Sequence, residues 1–361
     1  MTNKFIFQIL TSQCSGSFDT QLLNLEKQLA LWMIENSLCL DQLISSRVYL
    51  TDAANQLEKF TQSVFYKEAV SKAAVSYIEQ PLLDGSKVAI QLWFATGVQV
   101  VKDGTPDCMR IKIGELCLLF QSVRFQENEV RGWSAEEQTE EAFRRHMAKL
   151  SDYKMNLEQH CHRTWLYVRD IDRHYAGVVT ARNHIFEENG LTSDTHYISS
   201  TGIGGYADNR ESIVGIDFLS VDGLDRHQVK YLHALDYLNP THEYGVAFER
   251  GTRLSLPQGE LSLISGTASI DKHGVCLHQG DVLTQTGRLF LNIEKLLEDG
   301  ESTLSDMQYM IVYLRDISDY QEVAAYLNLR FPHIPFLITE ARVCRPEWLI
   351  EVECMAMKYH A

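Results

Sequence analysis

The stretch CRPEWLIEVECMAM, Cys344–Met357, alternates with a period of two. Ile350, Val352, Cys354 and Ala356 fall on one side, and Leu349, Glu351, Glu353, Met355 and Met357 on the other. That alternation belongs to a strand with one face on a core. Two carboxylates then share the second face with apolar neighbours. On a solvent face they need no explanation. Inside a cleft, a carboxyl withdrawn from water holds its proton to higher pH and can act as a general acid.

Two other segments, KVAIQLWFA and SIVGIDFLSV, carry the same alternation and serve as a control within one chain. The Glu353 slot holds Gln91, Asp217 and Glu353, polar each time, which marks a shared hydrogen-bonding or solvated position. The Glu351 slot holds Ala89, Gly215 and Glu351. A requirement of the fold would recur in all three. A carboxylate present once is better explained by one working cleft, so Glu351 is the candidate catalytic acid.

The elements that must position it also come in threes. SSRVYLTD, RTWLYVRD and QYMIVYLRD share an apolar residue, a tyrosine, Leu or Val, any residue and Asp. The tyrosines, Tyr49, Tyr167 and Tyr313, lie 118 and 146 residues apart, a domain-scale repeat. A helical pattern precedes each strand: LLNLEKQLALWMIENS, AEEQTEEAFRRHMAKLSDY, and Leu289, Ile293, Leu296 and Leu297 ahead of EDGES. A second helical pattern follows each: ANQLEKFTQSVFYKEA, HYAGVVTARNHIFEENG and DYQEVAAYLNLRF. Hairpin-like strands open each unit, clearest in GELSLISGTASIDKHG. The spacing predicts an α+β class of three β-β-α-β-α-β units, residues 1–98, 99–224 and 225–361, with helices on one face of each sheet. Three such sheets can close their free faces around a common axis, so one chain forms a pseudo-trimer. Linkers rich in Gly, Ser or Pro are absent, against independent domains on a string.

Composition narrows the partners. The chain has 361 residues, 45% of them hydrophobic and 22% charged, enough for more than one domain. Its net charge of −15 argues against nucleic acid, and any site for an anion must gather its own arginines. No apolar run reaches membrane-spanning length, and MTNKFIFQILTSQCSG has no secretory pattern. The eight cysteines form no CxxC pair, and Cys161-His162 has no second ligand cluster at metal spacing. The expectation is a cytoplasmic protein with reduced, mostly buried thiols and no metal. The histidines His160, His162, His242 and His278 likewise show no metal spacing. TGIGG, Thr201–Gly205, lacks the GxGxxG pattern or a Walker lysine and reads as a bend between strands.

The third unit, through ISGTASID, NIEKLLEDGESTLSDMQYMIVYLRDISDYQEVAAYLNLRFP and CRPEWLIEVECMAM, resembles the Rid (YjgF/UK114) superfamily, whose units are chorismate-mutase-like. The likeness covers about Leu261 to Lys358 well and the first two units more faintly. The length and the run THEYGVAFERGT, ISGTASI, VCRPEWLIE further resemble the chorismatases, single chains of Rid-like architecture. That resemblance implies hydrolysis of the enolpyruvyl ether of chorismate, giving pyruvate and a dihydroxycyclohexadiene carboxylate or 3-hydroxybenzoate. It places an active-site glutamate at Glu351. It implies no metal or organic cofactor, a small dicarboxylate as substrate, and a monomeric pseudo-trimer. The arginine that Rid imine deaminases carry on the penultimate strand is missing: its slot falls on Leu337, and AAVSYIEQ and HYISSTGIGG lack it too. Another Rid-type enamine or imine hydrolase, or a non-catalytic metabolite-binding protein, remains as the alternative.

Chorismate carries two carboxylates, and arginine forks suit them best. Candidate substrate-binding residues are Arg250 with Tyr244 upstream, Arg210 before the last strand of the second unit, Tyr197 thirteen residues earlier, and Arg182 on that unit's second helix. Arg342 and Arg345 are less favoured. Ser265-Gly266 matches the Rid Ser-Gly that lines the cleft, where Gly266 would let a substrate approach the backbone. Cys344 is either a small buried filler or, as the resemblance implies, a cleft residue that influences the ring product.

Overall fold

The structure, a computed structural model, describes residues 3–12, 14–207 and 209–360. It is α+β, with three sheets laid out along the chain in order.

The first sheet holds β1 (Lys4–Thr11), β2 (Leu43–Leu50), β3 (Ala74–Glu79) and β4 (Val88–Thr96), in the order β1-β4-β2-β3. Helices α1 (Phe18–Glu35), α2 (Ala53–Gln62) and the short α3 (Val64–Glu68) belong to it. The second sheet holds β5 (Val100–Thr105), β6 (Cys108–Ile113), β7 (Leu116–Val123), β8 (Cys161–Val168), β9 (Ser199–Gly204) and β10 (Val214–Asp222). Its helices are α4 (Glu127–Val130), α5 (Ala135–Asp152), α6 (Leu157–His160) and α7 (Ile171–Glu188). The third holds β11 (Val229–Tyr231), β12 (Gly251–Leu256), β13 (Gly259–Thr267), β14 (Met307–Leu314), β15 (Phe336–Glu340) and β16 (Ile350–Tyr359), carrying α8 (Val282–Asp299) and α9 (Tyr320–Arg330); its order β11-β12-β13-β16-β14-β15 repeats the β5-β6-β7-β10-β8-β9 of the second.

The three-unit reading holds; the first unit has the four strands of the β-β-α-β-α-β scheme in a different order, and the second and third have six each. A strand parallel to the tyrosine strand follows the second helix in every unit. The opening hairpin of the third unit is β12–β13, so it lies earlier than Gly259–Gly274. The first unit opens on β1 alone, the apolar run near the N-terminus. TGIGG is not a bend: Thr201–Gly204 ends β9. Its glycines sit at close approaches, since a Cβ at Gly202 would lie 3.0 Å from the Tyr175 ring and one at Gly204 2.9 Å from Arg342 backbone.

The repeated motif now has a physical meaning. Its aspartate stands at the start of the following helix, where free backbone N–H groups need acceptors. Asp52 accepts from Asn55 N and Asp316 from Ser318 N, while Asp170 stands at the N-cap of α7 in a left-handed backbone, its side chain making no cap hydrogen bond among the described residues. The repeated tyrosine faces the inner surface of its sheet. It pairs across to the last strand: Tyr49 with Ala89, Tyr167 with Gly215, Tyr313 with Glu351.

The sheets join at their inner faces, and one continuous apolar cluster draws on all three, including Phe5, Trp93, Leu118, Trp165, Leu263 and Met355. Backbone bridges tie the units together: Glu79 to Tyr206, Leu82 to Thr339, Ser199 to Glu249 and Ile203 to Val343. At the centre lies Glu353. It accepts from Arg47 Nη1 (3.1 Å), Arg163 Nη2 (2.8 Å) and Trp165 Nε1 (2.9 Å), donors from the other two units. A buried carboxylate so fully satisfied ties the three units into one register.

Candidate active site

Glu351 is on the inner face of β16, 3% exposed, so it is not on a solvent face. It is one of the residues lining a cavity of about 340 Å³ between the second and third units. From the second unit, α7 contributes Tyr175 and Arg182, and β9 contributes Ser200 and Gly202. The third unit contributes Tyr244, Phe248, Arg250, Gly266, Cys344, Arg345 and Trp348.

A bulge in β13 opens this space. Pairing with β16 runs from Ile264–Cys354 to Thr267–Val352, so one extra residue is inserted at Ser265-Gly266. The bulge is held both from its own unit and, through Ser200 and Thr201, from the second. Ser265 Oγ accepts from Ser200 N (2.8 Å) and donates to Glu249 O (2.6 Å), and Gly266 N donates to Thr201 Oγ1 (3.0 Å). Gly266 lines the cavity, and its lack of a side chain has a second consequence. A Cβ there would lie 2.0 Å from Glu351 Oε1, so the missing side chain makes room for the carboxyl itself.

Burial pushes the Glu351 carboxyl up to about 8; the negative charge of Glu353 adds to this, and Arg163 and Arg250 oppose it. At neutral pH the group therefore holds its proton. Burial also pushes the Cys344 thiol and the Tyr175 phenol up, keeping both neutral.

The cations are arranged differently from one another. Arg182 is 1% exposed and lies 5.9 Å from the Phe248 ring, and its Nε and Nη2 have no hydrogen-bond partner among the described residues. Such a guanidinium is costly to bury unless an anion meets it. Arg250 is braced from behind: Nε and Nη2 donate to Asn239 O (3.3 and 3.1 Å), and Nη2 reaches Asn239 Oδ1 (3.3 Å). Tyr244 stands between two guanidinium groups, its ring 5.5 Å from Arg250 and 5.0 Å from Arg345, and its hydroxyl has no partner.

Two candidates fall elsewhere. Arg210 is exposed on the loop before β10, outside the cavity. Tyr197 lies beyond Phe248 and Arg250, lining a second chamber. Sequence reasoning missed Tyr175 and Trp348 and set Arg345 aside. Tyr175 had a signal, being seven residues before Arg182 on one helix and hence on its face. Among the described residues, no group of three or more His, Cys, Asp or Glu is placed to hold a metal ion, and no helix is long and apolar enough to cross a membrane.

With this geometry the likenesses to known proteins fall into place. Residues 251–358 match the family model described as Endoribonuclease L-PSP. A RutC family protein of Pyrococcus abyssi is 28% identical over 102 residues, 28% of this chain and 80% of that protein. The 3-aminoacrylate deaminase RutC of Acinetobacter baylyi is 27% identical over 99 residues, 26% of this chain and 75% of that protein. Among solved structures, a chorismatase determined at 1.08 Å superposes with a TM-score of 0.69 at 19% identity, covering 99% of both chains. The class is thus that of Rid-like α+β folds. More particularly, the arrangement of the whole chain is the chorismatase fold, as the sequence resemblance implied.

Proposed function

We propose that this protein is a chorismatase-type hydrolase, its units dividing at residues 1–98, 99–224 and 225–361. The observation that carries the reading is one cavity holding a carboxyl that keeps its proton near neutrality together with a buried arginine whose Nε and Nη2 lack partners. Arg182, Arg250 and Arg345 supply positive charge for a dianion, and Tyr244 and Trp348 offer donors without partners.

Enol ether hydrolysis begins with a proton delivered to the methylene carbon. Carbon is a slow base, so a positioned acid gains most there. Glu351 gives its proton to that carbon, and the oxygen-stabilised cation takes up water. The resulting hemiketal collapses, breaking its bond to the ring oxygen, which leaves as the alcohol with pyruvate as the other product. A proton from the added water returns to Glu351. Guanidinium groups bind the two substrate carboxylates and so fix the methylene carbon. The sequence uses only a proton and water. The ring leaves as the dihydroxycyclohexadiene carboxylate or loses a water to become the aromatic 3-hydroxybenzoate, with Cys344 lining the cavity on the way. A cavity of about 340 Å³ fits one small molecule and not a polymer. We place the chain as a cytoplasmic monomer.

The test is incubation with chorismate, with pyruvate followed by a coupled dehydrogenase assay and the ring product by mass analysis. Pyruvate release is expected; binding of chorismate without turnover would leave a metabolite-binding protein instead.

A further inference from the structure

Behind the catalytic cavity lies a chamber of about 280 Å³. Phe248 and Arg250 line both spaces and form the wall between them. The loop 192–197, strand β11 with the segment after it, and the turn at Thr241–Tyr244 enclose it. It shares Arg250 with the first cavity and adds the imidazoles of His196, His233 and His242 beside one carboxylate. The inner end presents Glu249, 8% exposed, with Tyr197 N donating to Oε1 (2.8 Å). Among the described residues this is the one hydrogen bond to that carboxylate, which has no ion-pair partner. A carboxylate buried to this degree needs a cation or further donors.

The aromatic and apolar part of the lining suits the body of an organic cation. Tyr231 stacks on His196 at 4.2 Å between ring centroids, giving a rigid aromatic side. Leu238 and Ala234 add apolar surface. Negative charge gathers around the aromatic groups: Glu249, Asp194 and Glu187 act on Tyr197, and Glu249 and Glu158 on Tyr231, where Arg226 opposes them. Burial pushes the Glu249 carboxyl up, opposed by Tyr197 N–H and by the charges of His233, His242 and Arg250. An ammonium group would meet it, and aromatic faces attract such ions.

We propose that this second chamber binds a small organic ammonium, its charge paired with Glu249 and its hydrocarbon body against Tyr231, Leu238 and Ala234. The site stands whether or not the first cavity hydrolyses chorismate. Isothermal titration with benzylamine as probe tests it, with benzyl alcohol as the neutral counterpart. Saturable benzylamine binding is expected, weakened by about tenfold or more in Glu249→Gln and for benzyl alcohol. Glu351→Gln should bind benzylamine as the parent does, which separates the two spaces. Tyr231→Leu, which keeps the carboxylate, should weaken binding too and decides the matter if Glu249→Gln does not fold. No saturation below about 10 mM, or equal affinity in both chamber variants, overturns the proposal.

Discussion

On β10, Gly215 stands where Glu351 stands on β16, and each faces the repeated tyrosine of its own sheet. The two surroundings differ in what occupies the space alongside. Next to Gly215 lies Arg124, whose Cδ, Nε and Cζ come within 3.1 to 3.3 Å of where a Cβ would be. That arginine is fully engaged. Nη1 pairs with Asp217 Oδ1 at 2.9 Å, Nε and Nη2 donate to Tyr77 O at 3.2 and 3.0 Å, and Nη2 reaches Ser76 Oγ at 3.2 Å. It thereby joins the first unit to the second. Next to Glu351 the space is a cavity, and Arg182 at its wall is left with donors unmet. One architecture thus gives a joint where charges satisfy each other and a cleft where they wait for a ligand.

The largest effect expected from this contrast is on Glu351. Glu351→Gln keeps the shape of the side chain and removes the proton, so turnover of chorismate should fall by about a hundredfold or more while thermal unfolding stays cooperative. Undiminished pyruvate release from that variant would make the two clefts functionally alike. The arginines should cross over. Arg124→Met removes the nearest cation from the buried Asp217, leaving it Ser76 Oγ, Ser122 Oγ (2.8 Å) and Arg47 Nε at 4.0 Å, and should cost about 3 kcal/mol of stability, read by urea unfolding, without raising KM. Arg182→Met removes an unpaired buried cation, so it should leave stability level or higher and raise KM for the dianion. Equal stability losses in the two variants would erase the distinction between joint and cleft.

A smaller pair of changes sharpens it further. Gly266→Ala places a methyl 2.0 Å from Glu351 Oε1, with no way to fit unless the carboxyl moves. It should lower kcat more than it alters KM. Gly215→Ala meets the flexible end of Arg124 at 3.1 Å, which can shift by a few tenths of an ångström, and should leave kcat unchanged. Steady-state kinetics on both variants checks this, and a kcat loss in Gly215→Ala would count against it.

Why was some of this legible in the sequence and some not? The singular place of Glu351 was readable because the chain carries its own control: three last strands, one acid. Helices and the tyrosine strands were readable because periodicity and the aspartate cap are local properties. The hub at Glu353 was read only as polar, since its partners Arg47, Arg163 and Trp165 lie 306, 190 and 188 residues away. The purpose of Gly266 was hidden for the same reason; the group it makes room for is 85 residues further along but one bulge away in space. Arg210 shows the opposite limit: nearness in sequence to a last strand says nothing of which way a loop turns.

The contrast also has a signature in pH, and its sign follows from the groups around Glu351. Glu353 on the same strand disfavours its charge, Arg163 on β8 and Arg250 before β12 favour it, and Tyr175 and Cys344 are kept neutral by burial. The result is a carboxyl raised from 4.5 to about 8. A folded state that holds a proton the unfolded chain has released loses stability as pH rises from about 4.5 to about 8. Melting temperatures should therefore decline across that window, and Glu351→Gln should lack that part of the decline. On the proposed mechanism the protonated form is the active one, so kcat/KM should fall about tenfold per pH unit above about 8. A bound dianion brings two more negative charges to the cavity and disfavours ionisation further. The fall in kcat should then lie at higher pH than the fall in kcat/KM. Coincident profiles would take the dianion away from Glu351, and a kcat/KM flat to one unit beyond that point would take away its role as proton donor.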